Sequence, residues 1–228
     1  MKKGILIPVM LFMLLEASIA MASGLLGGTG VTDKRTFDQD GMTKIETLAI
    51  ADSIYSGPNS DEEPEKSDLA DIIMEGTLKD EKGELSYISY RDIASSIRAS
   101  SHVDILRLDH KKAFSEYKKN IALYADAYVV TTVSNGTSKN DGTRLNIFFE
   151  VYDAKTHKII YAYRKLAPKT ATRDTLLYTE IAKDFFKDFL DDRKEAIENA
   201  EKEKRAILKA DEKAAEKAAK EARKNQAS

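Results

Sequence analysis

The chain has no cysteine, no tryptophan, four prolines and three histidines among its 228 residues. Without cysteine there are no disulfides, no thiolate metal ligands and no cysteine nucleophile. Nor is there a cysteine after the N-terminal apolar core to carry a lipid. The histidines, His102, His110 and His157, include no i,i+4 pair, so the H-E-x-x-H pattern of a zinc hydrolase is absent. A large excess of positive charge is also missing. From Ser23 onward 34 Lys and Arg face 37 Asp and Glu, a net charge of −3, which gives no general attraction to nucleic acid or anionic lipid. The longest apolar stretch near the N-terminus, Ile5–Leu15, is far shorter than the roughly 20 residues that span a bilayer.

What is present begins with an address. Lys2 and Lys3 precede that apolar stretch, and Ala20-Met21-Ala22 follows it with the small-x-small spacing of a signal-peptidase site. The expectation is a cleaved signal peptide over 1–22, cut before Ser23, with Ser18-Ile19-Ala20 as a second cleavage candidate. No transmembrane span is expected after cleavage, and the protein is expected in the periplasm or otherwise exported. Residues 23–43, rich in glycine and polar side chains, read as a flexible leader.

The domain is expected over 44–190. Lys44–Tyr55 reads as a first strand with apolar residues on both faces. Residues 56–85 carry Pro58, Pro64, Gly76, Gly83 and many acids, and read as a surface insertion with a short helix near Leu69–Met74. Ser89 and Asp92 form a capping-box pattern ahead of a helix bearing Ile93 and Ile97. His102–Leu108 is a short strand candidate. Phe114, Tyr117, Ile121 and Tyr124, spaced three, four and three apart, mark an amphipathic helix. Three strands then follow as a meander: 125–135, ended by the turn signal Asn135-Gly136; 143–152; and 158–165, reached through a turn at Asp153–His157. Tyr178, Ile181, Ala182, Phe185 and Phe189 stripe a last core helix. Residues 191–228 form an Ala/Glu/Lys tail supported by pairs such as Glu198–Lys202 and Glu216–Lys220. No heptad is sustained in it, so a strong coiled coil is not expected.

The order β-α-β-α-β-β-β-α predicts an α+β domain: a two-layer α/β arrangement with a mixed sheet, helices mainly on one face, and an extended C-terminal helix. The apolar residues on both faces of the first two strands require some further cover.

With His102–Leu108, Ala125–Val133 and Phe149–Lys165 in place, the stretch 44–190 resembles an envelope domain. Similar domains occur in the N-terminal part of TolB, in curli-assembly (CsgG-type) lipoproteins and in activators of penicillin-binding proteins. Ala125–Val133 matches the "vdyvvtG.v" strand of that family, and Asp153–Ile160 its "D..tGk.vw" turn, with His157 where the family has glycine. The resemblance implies a non-enzymatic, protein-binding accessory role in the cell envelope, with an envelope protein as partner. It does not extend to lipid anchoring or pore formation.

No motif calls for a cofactor or a metal. The glycine-rich Gly24–Gly30 lacks a P-loop lysine, and Asp61–Asp68 lacks the register of a calcium loop. Ser115–Lys118 matches S-x-x-K without its partner motifs, and no G-x-S-x-G elbow is present. If the aliphatic faces of the meander meet the helices, Phe148, Tyr152, Tyr161 and Tyr163 share the open face and form a candidate docking surface. The alternative is a cell-wall or polysaccharide hydrolase built on a carboxylate pair, which requires two carboxyls facing each other across a cleft.

Overall fold

A computed structural model describes residues 32–56, 70–77, 85–138, 142–166 and 175–226. The expected signal peptide, the leader up to residue 31, and residues 57–69 and 78–84 of the acidic insertion lie outside the described residues.

The mixed sheet and α+β class stand as expected. In chain order the elements are β1 (Thr32–Thr36), α1 (Gln39–Thr43), β2 (Thr47–Ile50), β3 (Ile54–Ser56), α2 (70–77), β4 (Ser86–Ile88), α3 (Tyr90–Ser101), α4 (His110–Asn120), β5 (Ala127–Ser138), β6 (Gly142–Asp153), β7 (Ile159–Leu166) and α5 (Thr175–Gln226). The sheet runs β1-β7-β6-β5-β2-β4, with β3 pairing on β5 past the end of β2. β1, β7, β6 and β5 are antiparallel neighbours, whereas β2, β3 and β4 join in parallel.

Alternation along the strands explains the layers. Leu48 and Ile50 of β2 point to the side of α1, α2 and α5, and Ala49 points to the side of α3 and α4. The second face of the parallel strands is therefore covered by α3 and α4. The reading of helices mainly on one face holds over β6 and β7 but not over β2. Each cover is locally built. Ser89 accepts a hydrogen bond from the Asp92 amide at the start of α3, and Asp109 accepts one from the Lys112 amide at the start of α4. Ile93, Ile97 and Tyr117 fill the space beneath, and the Tyr117 hydroxyl donates to the Ile50 carbonyl at 3.1 Å.

Four local expectations are corrected. Residues 32–43, read as part of a flexible leader, form an edge strand and a short helix. β1 pairs with β7 from Thr32↔Lys165 to Thr36↔Tyr161, and Met42 is fully buried. The polar composition had hidden this, because an edge strand keeps charged side chains in water. His102–Leu108 is not a strand. His102 closes α3 in the left-handed region at φ 60°, and Ile105–Arg107 makes a single 3₁₀ turn that buries Ile105 and leaves Leu106 exposed. Lys44–Tyr55 is two strands, β2 and β3, interrupted at Ala51–Ser53. Asn135-Gly136 is not a turn, because β5 and β6 stay in register through Asn135↔Leu145 and Gly136↔Arg144 to Ser138↔Gly142.

The second meander turn falls where expected. The Asp153 carboxylate accepts from the Lys155 and Thr156 amides at 3.0 and 2.6 Å, and His157 adopts φ 55°, a conformation that favours glycine. α5 is one uninterrupted helix of 52 residues, about 78 Å long at 1.5 Å per residue. Its packing runs from Tyr178 to Ala196, past the expected domain end at 190.

Candidate functional site

The four aromatic residues expected on one open face are divided between two. β6 pairs with β7 as Phe149↔Tyr163 and Val151↔Tyr161, so both tyrosines share the face of Ile147, Phe149 and Val151. That face lies under α5. Tyr161 and Tyr163 are 0% and 1% exposed and make edge or tilted contacts with Phe185, which stacks on Phe149 at 4.3 Å between ring centres. The Tyr161 hydroxyl donates to Asp192 at 3.0 Å, and Lys34 donates to the same carboxylate at 2.8 Å. Burial and the neighbouring Asp192 push the Tyr161 phenol well above its ordinary pKa. These two residues are core. Strict alternation sets Ile160 on the face opposite Tyr161 and Tyr163, but Ile160 is the extra residue of a β7 bulge opposite Val151 and Tyr152 and points inward in the same cluster as both tyrosines.

Phe148 and Tyr152 do lie on the opposite face. Tyr152 stacks on Tyr128 at 5.4 Å beside the α4 cluster, and its hydroxyl donates to Glu150 at 2.8 Å. Phe148 lies farther out, where no helix covers the sheet among the described residues. Register places Arg164 opposite Phe148, and Arg35 opposite Ala162. The Arg164 guanidinium sits 5.2 Å from the Phe148 ring centre, and that of Arg35 sits 4.8 Å from Phe37. Phe37 is 39% exposed. Together with Glu150 and Ala162 these groups line a concavity of about 260 Å³. Among the described residues the buried Nε of Arg164 has no hydrogen-bond partner. Sequence reasoning found Phe148 here but missed Arg35, Phe37 and Arg164. Only the pairing of β1 with β7 brings them together.

A second cavity, of about 300 Å³, opens beyond the carboxyl end of β2. This is the usual position of ligand clefts in parallel sheets. It is lined by Asp52, Asp71, Tyr90, Arg91 and His110 among others. His110 Nδ1 lies 2.9 Å from Asp52 Oδ2, and Asp71 Oδ1 accepts from the Ser53 amide at 2.9 Å. Burial, opposed in part by the Ser53 hydrogen bonds, together with a hydrogen bond and charge from Asp52, pushes the Asp71 carboxyl up to about 8. A protonated Asp71 carboxyl is suited to donate toward the neighbouring Asp52. A glycosidase needs its carboxyls roughly 5–9.5 Å apart, to admit the sugar carbon and the attacking group. The pair instead ties α2 to the β2–β3 link and, through His110, to the start of α4. Among the described residues no group of three His, Cys, Asp or Glu side chains is placed to hold a metal. None of the described helices is long and apolar enough to cross a membrane.

No family model matches the chain, and no curated protein matches it. Solved structures similar to it include the PelC dodecamer from Paraburkholderia phytofirmans, at 10% identity and a TM-score of 0.42, covering 71% of this chain and 97% of that one. A lipoprotein from Neisseria meningitidis matches at 11% identity and a TM-score of 0.37, covering 64% and 98%. The LpoB C-terminal domain from Escherichia coli matches at 11% identity and a TM-score of 0.37, covering 67% and 93%.

Proposed function

We propose that the chain is an exported, non-enzymatic envelope protein that acts as a protein-binding or assembly module, docking its partner on the uncovered face of the meander. The observation that carries this reading is the cluster of Phe37, Arg35, Phe148 and Arg164 on a face that no described helix covers. Aromatic rings and arginines are the side chains that most often anchor protein interfaces. Guanidiniums placed over aromatic rings still have N–H donors to offer to carboxylates. The fitting partner is therefore a protein segment that presents a carboxylate beside an apolar side chain. The N-terminal signal pattern and the resemblance to TolB-type and CsgG-type domains agree with an envelope setting.

The test is photo-cross-linking in cells from a residue introduced at Phe148. A discrete adduct that disappears when Arg35 and Arg164 are both changed to alanine supports the reading. If the same variant keeps its adduct, or if no adduct forms and the purified protein cleaves wall polysaccharide, the binding role fails and the carboxylate-pair hydrolase takes its place.

A further inference from the structure

The apolar stripe that fixes α5 to the sheet does not stop where the sheet stops. Phe185-Phe186, Ala196-Ile197, Ile207-Leu208 and Ala218-Ala219 recur every 11 residues along the sequence. Eleven residues make three helical turns at 3.67 per turn, so such a stripe stays close to one side of a nearly straight helix. Its cover changes along the way. Phe185 and Phe186 are fully buried and Ala196 is 6% exposed, whereas Ile207 and Leu208 are 54% and 62% exposed. Every residue from Glu201 to Glu216 is exposed. The arm therefore carries the continuation of a packing face into solvent.

Its charge is divided along its length. Residues 191–203 hold six carboxylates against three cations, a net −3. Residues 204–226 hold eight cations against four carboxylates, a net +4. Ile207 and Leu208 stand at the border of the two segments. A second copy laid antiparallel with its own Ile207-Leu208 against this pair sets each basic distal segment beside the other's acidic base. A parallel pair sets like against like. The alanines at 200, 214 and 215 lie on the same side of the helix as those two large residues and let two helices approach closely around them.

We propose that the arm of α5 pairs antiparallel with the arm of a second copy of this chain, with Ile207 and Leu208 at the centre of the contact. No heptad is required, because the seam is a short 11-residue pattern of two large and several small residues. The contact is independent of the partner-docking face on the meander.

The full chain tests this directly. Sedimentation velocity over a concentration series is expected to show a monomer–dimer equilibrium that shifts toward monomer as salt rises. The double variant I207E/L208E is expected to remain monomeric throughout. Both residues are exposed and glutamate suits a helix, so its circular dichroism should match the parent. Because the chain has no native cysteine, orientation can be read by oxidation. Mixed Ala200→Cys and Ala215→Cys proteins, whose positions lie on the seam and face each other in the antiparallel register, are expected to cross-link to each other, while Ala200→Cys alone gives no dimer. A parent that stays monomeric at every concentration overturns the proposal. So does a dimer that survives in I207E/L208E, or an Ala200→Cys protein that cross-links to itself.

Discussion

The two faces of the meander are made from the same strands and are chemically opposite. On one, Phe149, Tyr161 and Tyr163 meet Phe185 and Phe189 in a continuous aromatic cluster with almost no exposure. On the other, one residue along each strand, Phe148, Glu150, Ala162 and Arg164 remain only half-covered. Aromatic content alone does not distinguish them. Company does: the packed face pairs aromatics with aliphatics, and the uncovered face pairs them with arginine and glutamate. A phenol can be buried when its hydroxyl finds a carboxylate at the margin, as Tyr161 does with Asp192. A guanidinium has to keep contact with water or await a partner.

The largest effect that separates the faces is expected from Tyr161→Ala. It removes a fully buried ring and leaves Asp192 without that donor, so chemical denaturation should show a loss of about 3–5 kcal/mol. Phe148→Ala on the other face should cost about 1 kcal/mol or less while abolishing the cross-link formed from a photoreactive residue placed at the neighbouring exposed Asp33. Equal losses at the two positions would erase the distinction.

A smaller effect tests the carboxyl pair that joins the helices of the two layers. Asp71 binds its proton more tightly folded than unfolded, with a folded value of about 8 against an ordinary 3.8. Its contribution to stability is therefore fully present below about pH 4 and is lost as pH rises toward 8. Asp71→Asn keeps an acceptor for the Ser53 amide and a donor toward Asp52 and does not titrate. Denaturation curves from pH 4 to 8 should be flatter for the variant, and the variant should be the more stable protein at pH 8. An unchanged pH slope would mean that Asp71 does not bind its proton more tightly in the folded state.

Smaller again is His157→Gly, which relieves a left-handed φ at the tip of β6–β7 but frees the unfolded chain. A gain of at most about 1 kcal/mol is expected in the same denaturation assay. Least of all, removal of residues 201–228 should leave the stability of the body unchanged within roughly 0.5 kcal/mol, since the deleted residues through 216 bury nothing. Loss of the body's cooperative unfolding in that truncation would mean that the arm supports the sheet.

Much of this protein was determined by local pattern. The periodicities of Ile93–Ile97, Phe114–Tyr124 and Tyr178–Phe189 fixed three helices, because a helix face that must be buried writes itself into the sequence every three to four residues. Strand alternation and the Asp153–His157 turn fixed the meander in the same way. The alanine-rich tail announced its helix through its i,i+4 pairs. Tertiary structure alone decided which face of each strand was buried. A single bulge in β7 inverts the assignment of Tyr161 and Tyr163, and a shift of one residue is invisible to composition. It also recruited the polar Thr32–Thr36 as an edge strand, since hydrogen bonds along a backbone need no apolar signature. Finally it gathered Arg35, Phe37, Phe148 and Arg164, and Asp52, Asp71 and His110, from distant parts of the chain. Those contacts depend on strand order and helix placement, which are set by the sum of long-range packing and not by any one segment.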